Sequence, residues 1–213
     1  MFFHFRNTTQ AFPFVGDQPP PATPEEQQAL IDRLQHFKTA TFKTLVETTA
    51  TPRPGVLNLM DEALADNRIA VGVCSASTKE AALKTLQVTL GPERLQRLDV
   101  CILGDDVSAK KPDPMIYNVA REKLGIDNPR ACVVIEDSLV GLRAAKSANM
   151  HCVITYTSST ADMDFYGENA QAKVPDLASR KVTLDAIFGP LRSRGLEAEI
   201  MADIRDPMPV NVE

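Results

Sequence analysis

Apolar positions along the 213-residue chain change their period at one place, near residue 51. Before it, Leu30, Leu34, Phe37 and Leu45 recur at helical spacing. Thr23-Pro24-Glu25-Glu26 supplies a start for that helix: a hydroxyl N-cap, a proline at the first position and a glutamate three residues after the cap. One long helix, or two with a break, is expected over Glu25–Glu47. Residues 1–22 read as irregular, with Pro19-Pro20-Pro21 favouring an extended or turn conformation. Thr51-Pro52-Arg53-Pro54-Gly55 closes the section, and a domain boundary is expected there.

Beyond residue 54, short apolar runs alternate with helical periods. Val56, Leu59, Met60, Ala63 and Leu64 mark a helix, and Ile69–Cys74 reads as a buried strand. A helix from about Thr78 to Leu90 follows, then a strand at Val100–Leu103. Asp113-Pro114 opens another helix, with Ile116, Val119, Ala120 and Leu124 toward the core. A strand at Ala131–Ile135, a helix over Leu139–Ala148 and a strand at His151–Thr155 continue the series. A weaker strand is expected near Ala172–Val174 and a closing helix near Leu184–Leu191. Strands alternating with helices of 10–15 residues are the pattern of parallel β-α-β units, so the fold class is α/β. Residues 193–213 are polar and end in Pro207-Met208-Pro209, which predicts a loosely held tail.

Composition changes this picture little. Apolar residues make up 44% and charged residues 24%, and the net charge is −5 with Lys and Arg scattered, so neither nucleic acid nor an anionic membrane is an expected partner. No apolar run approaches the roughly 18–20 residues of a membrane span, and His4, Arg6 and Pro13 break the apolar opening before it could act as a signal core. A soluble intracellular protein is expected. The four cysteines, Cys74, Cys101, Cys132 and Cys152, form no C-x-x-C pair and each sits in an apolar segment. Buried, reduced thiols are expected rather than zinc ligands or disulfides.

In open parallel sheets, ligands bind beyond the carboxyl ends of the strands. Ser75-Ala76-Ser77-Thr78 follows the first expected strand, Gly104-Asp105-Asp106 and Lys110-Lys111-Pro112-Asp113-Pro114 follow the second, and Glu136-Asp137-Ser138 follows the third. Each has a plain structural explanation: serine and threonine cap helices, surface lysines are solvated, and acids favour a helix start. Together they bring a hydroxyl, an ammonium and a carboxylate pair to one rim. A hydroxyl with backbone amides suits a phosphoryl oxygen, a lysine neutralises it, and adjacent carboxylates suit Mg²⁺. A response-regulator receiver combines similar groups, but its acids precede its hydroxyl, and here the order is Ser75, Lys111, Glu136-Asp137.

These motifs resemble those of the haloacid dehalogenase superfamily. Val73-Cys74-Ser75 resembles its second motif, Lys111-Pro112-Asp113-Pro114 its third, and Val134-Ile135-Glu136-Asp137-Ser138 with Gly141, Ala144, Ala145 and Met150 its fourth. Asn149 stands where that pattern has glycine, and asparagine also tolerates a left-handed helix end. Leu30–Gln35, Pro52-Arg53-Pro54-Gly55-Val56 and Cys152–Thr160 look like the CbbY-like subfamily of plants and algae, near beta-phosphoglucomutase. The resemblance covers about residues 20 to 190. It implies a Rossmann-like core with a parallel sheet, an inserted helical cap, and Mg²⁺-dependent dephosphorylation of a small sugar phosphate or bisphosphate. By position, it implies that Ser75 and Ala76 hold phosphate, Lys111 neutralises it, and Asp137 with Glu136 serves the metal. A plastid stroma location is implied by the subfamily alone.

The family's first motif, D-x-D-G, should stand at the end of a first core strand, where it supplies the nucleophile and the general acid–base. It is not found upstream of Ser75. Asp17 and Asp162-Met163-Asp164 are the nearest substitutes, and both are expected in loops. The layout therefore implies that residues 1–50 are the C-terminal half of the cap and that residues 51–192 are a core lacking its first strand. It also implies a chain without turnover of its own. The alternatives are a non-catalytic phosphate- or partner-binding relative and a phosphosugar mutase. Oligomeric state has no signal in the sequence.

Overall fold

The structure, a computed structural model, describes residues 4–13, 15–178 and 182–193, with side chains as far as Phe188. The expected tail at 193–213 lies almost wholly outside these residues. Two compact units are present, Met1–Ala50 and the chain from Thr51 onward.

The first unit holds one π-helical turn, His4–Thr8, and helix α1, Pro24–Thr49. The helix begins where the cap chemistry requires. Thr23 Oγ1 accepts from the Glu26 amide at 3.2 Å, and Glu26 Oε2 accepts from the Thr23 and Ala22 amides at 3.1 and 2.9 Å. No break interrupts the helix. Two of its apolar side chains, Leu30 and Val46, are buried, whereas Phe37, Phe42 and Leu45 are exposed. Asp17 lies in a tight turn closed by a bridge between Val15 and Gln18.

The second unit is built from α2 (Val56–Ala65), β1 (Gly72–Cys74), α3 (Lys79–Gln96), β2 (Val100–Ile102), α4 (Met115–Lys123), β3 (Val133–Glu136), α5 (Leu139–Ser147), β4 (His151–Thr155), β5 (Ala172–Val174) and α6 (Leu184–Ser193). All strand pairings are parallel. They form two sheets, β1-β2 and β3-β4-β5, with no pairing between β1 and β3. The strand side chains alternate between two helix layers. Cys152 and Ile154 of β4 pack with Val134, Ile102, Ile116 of α4 and Ala144 of α5, while Val153 packs with Leu59 of α2, Ala172 and Ile187 of α6. Every residue of β4 is buried.

Two junctions explain sequence features in physical terms. Arg53 donates to the carbonyls of Thr155, Tyr156 and Pro175 at 2.6, 2.6 and 2.9 Å, closing the carboxyl end of β4. Gly55 has φ +81° and presses on Leu177, whose carbonyl carbon would lie 2.0 Å from a Cβ there, so only glycine fits. Asn149 adopts φ +59°, the left-handed end expected of it.

Some expectations need correction. Strand pairing in β1 starts at Gly72 rather than Ile69, and Pro129–Ala131 is a short 3₁₀ turn before β3. Helix α3 reaches its expected end at Leu90, where the non-helical Gly91, φ +78°, and Pro92 form a kink, and a further helical stretch beyond the expected range runs on to Gln96. All four cysteines are free, but only Cys152 is fully buried.

Candidate functional site

The carboxyl ends of β1 and β3 are tied together by one ammonium. Lys111 Nζ donates to the Cys74 carbonyl at 3.1 Å and to Glu136 Oε1 at 2.5 Å. Both charged side chains are nearly buried, 10% and 11% exposed. Lys111 also lies over the ring of Tyr117, 4.7 Å from its centroid. The Tyr117 hydroxyl donates to the same Glu136 Oε1. Burial raises the Tyr117 phenol above its ordinary range, and the Glu136 charge and hydrogen bond raise it further. It remains a neutral donor.

Ser75 follows β1 directly. Its amide donates to the Ile102 carbonyl at 3.0 Å, and its Oγ accepts from the Ser77 amide at 3.2 Å. This folds the Ser75–Ser77 loop over Gly104, where a Cβ would stand 2.5 Å from the carbonyl oxygens of Ala76 and Ser77. Ala76 is exposed beside it. Lys110, by contrast, is committed to the Gly104 carbonyl. Asp105 accepts from the Lys79 amide at 2.7 Å, at the start of α3, and Asp106 accepts from the Leu103 amide at 2.8 Å. These carboxylates hold the loop in place.

Glu136 Oε2 accepts from the Asp137 amide at 3.3 Å and from Ser138 Oγ at 3.5 Å. Ser138 Oγ in turn caps α5 by accepting from the Gly141 amide at 3.1 Å. Asp137 is exposed at the rim. Asp162 and Asp164 lie in the turns after β4, and Asp164 Oδ1 accepts from the Gly167 amide at 2.8 Å.

The structure therefore brings Lys111 and Glu136 into contact beside the Ser75 loop and leaves Asp137 at the edge of this group. Tyr117 and the Cys74 carbonyl were not foreseen. Tyr117 had a signal: it falls on the apolar α4 face of Ala120 and Leu124, where a phenol has to find an acceptor. The Cys74 thiol donates to the Ile116 carbonyl at 3.8 Å. Burial pushes it up to about 12 against the opposing pull of Lys111.

Fit to Mg²⁺ rests on the donor set. The described residues contain no group of three or more His, Cys, Asp or Glu side chains placed to hold a metal. Glu136 Oε1 is shared by Lys111 and Tyr117. Asp137 remains as an exposed carboxylate. This suits an ion that keeps several waters, takes one or two carboxylates and draws its other ligands from a bound phosphate.

A family model for haloacid dehalogenase-like hydrolases matches residues 15–149. The chain belongs to this family. Within it the chain stands with the CbbY-like proteins. It is 47% identical over 164 residues to a haloacid dehalogenase-like hydrolase domain-containing protein of Arabidopsis thaliana, covering 76% of this chain and 51% of that protein. It is 46% identical over 153 residues to a CBBY-like protein of the same plant, covering 71% and 46%. A mutant CbbY of Rhodobacter sphaeroides, solved in complex with xylulose-(1,5)bisphosphate, superimposes with a TM-score of 0.64 at 29% identity, covering 78% and 69%. The chain thus spans about half the length of the curated relatives it matches.

Proposed function

We propose that this rim binds the phosphate group of a small sugar phosphate or bisphosphate together with Mg²⁺, as part of a phosphatase. The observation that carries the reading is Lys111, whose ammonium is fixed by Cys74 and Glu136 beside the Ser75 loop. In this reading Ser75 Oγ and the Ala76 amide receive phosphate oxygens, and Lys111 neutralises them as a nearly dry point charge. Asp137 serves the metal, with Glu136 orienting Lys111 from behind. The ion, when bound, supplies charge stabilisation to the phosphoryl group. The sugar-bisphosphate complex of a CbbY relative supports the substrate class.

The reading also holds that these 213 residues by themselves do not turn over substrate. The D-x-D-G motif that would supply the nucleophile is not found upstream of Ser75, and Asp105 and Asp106 accept from the backbone amides of Lys79 and Leu103. Titration of inorganic phosphate with MgCl₂, followed by ³¹P NMR, should give a saturable shift that Lys111→Ala and Ser75→Ala each remove. Phosphate release from a pentose bisphosphate should stay at background. Binding indifferent to both substitutions would overturn the site, and release abolished by Lys111→Ala would overturn the claim of no turnover.

A further inference from the structure

Tyr117 stands in the first turn of α4, and its surroundings fix the ring. It is buried in the same core as Ile102, Ala120 and Cys152, and its amide donates to the Pro114 carbonyl at 3.0 Å. From that position one side chain touches both halves of the nearly buried ion pair. The ring face lies against the Lys111 ammonium, 4.7 Å from the centroid, and the hydroxyl donates to Glu136 Oε1. Packing and the cation contact need only the ring, so a phenylalanine would serve both. The hydroxyl is the part that needs a reason, because it lands on the oxygen that already accepts from Lys111 at 2.5 Å.

We infer that Tyr117 is a positioning residue for the anion site: its hydroxyl shares Glu136 Oε1 with Lys111, so that the carboxylate aims the ammonium without quenching it. The inference rests on the phosphate reading of the rim. Each carboxylate oxygen offers about two lone-pair sites, and on Oε1 Lys111 fills one and Tyr117 the other. The phenol draws charge from that oxygen and so weakens its hold on Lys111, an effect that grows where water is scarce. The carboxylate is not free to turn away, because its Oε2 accepts from the Asp137 amide and from Ser138 Oγ. An ammonium has three N–H donors. The Cys74 carbonyl takes one from Lys111 and Glu136 takes a second, while the third has no acceptor among the described residues and is the one a phosphate oxygen would receive. The ring face favours the charged form of Lys111 and offsets part of the cost of holding it away from water. Without the hydroxyl, the whole charge of Oε1 would act on Lys111 and draw the ammonium toward β3, away from the Ser75 loop.

Inorganic phosphate with MgCl₂ is the probe. The full chain should be labelled with 3-fluorotyrosine, its three tyrosines being told apart by Tyr156→Phe and Tyr166→Phe. The Tyr117 ¹⁹F resonance should move as phosphate saturates, because phosphate draws Lys111 off Glu136 and the phenol takes up the released charge. This measurement needs no substitution at Tyr117, and a tyrosine that only packs would keep its resonance. Tyr117→Phe should weaken phosphate binding about threefold to tenfold in the ³¹P titration. In a Glu136→Gln background the same substitution should change affinity by less than about twofold, since no carboxylate charge is left to share. An unmoved ¹⁹F resonance, or an equal loss in both backgrounds, would overturn the role of Tyr117. Binding abolished by Lys111→Ala yet untouched by Tyr117→Phe would remove this inference alone. Binding indifferent to Lys111→Ala would remove the phosphate reading and this inference with it.

Discussion

Lys111 Nζ and Glu136 Oε1 stand 2.5 Å apart in a setting where each side chain keeps about a tenth of its surface in contact with water. Removing one partner strands the other in a poorly hydrated place, which costs about 3–5 kcal/mol when the charge is fully buried. Lys111→Met should therefore lower the urea midpoint sharply. Lys111→Met combined with Glu136→Gln should recover part of the loss. A double-mutant cycle reads the coupling directly, and a coupling near zero would show the pair to be incidental.

Gly141 bears on the same carboxylate from α5. A Cβ there would lie 2.0 Å from Glu136 Cδ. Gly141→Ala should displace the carboxylate from Lys111, destabilise the fold by about 1–3 kcal/mol and shrink the coupling measured in the cycle above. Unchanged coupling in the Gly141→Ala background would refute the displacement.

The thiols predict an alkaline limit. Burial pushes both Cys74 and Cys152 from 9.0 up to about 12. A group whose pKa is higher in the folded state stabilises that state fully below its unfolded value and loses the contribution as pH rises through the folded value. Stability should thus be flat across this contribution below pH 9 and fall between pH 9 and 12. Cys152→Ala should shallow that slope, as chemical denaturation at pH 8, 10 and 11 would register. Cys152 should also resist alkylation at pH 8 until the chain unfolds.

Helix α1 rests on its capping box. Thr23→Ala removes the acceptor for the Glu26 amide and should cost about 1 kcal/mol. Backbone hydrogen bonds from Thr23 and Ala22 hold the Glu26 carboxyl below its ordinary range. Its support is present above the unfolded value near 4.5 and fades as pH falls below that. Circular dichroism across pH 2–6 for both proteins would test the reciprocal cap, and the variant should show the weaker acid dependence.

Much of the fold was legible because period and punctuation agree: Thr23-Pro24 opens α1 and Asn149 closes α5 in the left-handed region. Boundaries were less so. Ile69 and Val71 have strand composition but pack against the α2 and α6 layer, and Val71 leads into pairing that starts only at Gly72. Gly91-Pro92 kinks α3 just after the expected end at Leu90, and the chain resumes its helical course beyond it. At the site, residue types at strand ends pointed to Ser75, Lys111, Glu136 and Asp137. No one-dimensional pattern could say that Lys111 spends its charge on Glu136, or that Tyr117 shares the same oxygen, because those contacts join segments 25 and 19 residues apart.

Strand β4 pairs with a neighbour on each side and buries all five of its residues, while among the described residues β1 pairs only with β2 and β3 only with β4. Opening should therefore begin as a seam. The amides of β1 and β3 should exchange through smaller local fluctuations than those of Val153 and Ile154, which should exchange only when the whole unit comes apart. Lys111, bonded to Cys74 of β1 and Glu136 of β3, spans that seam, so its position should respond to any loosening between the two sheets.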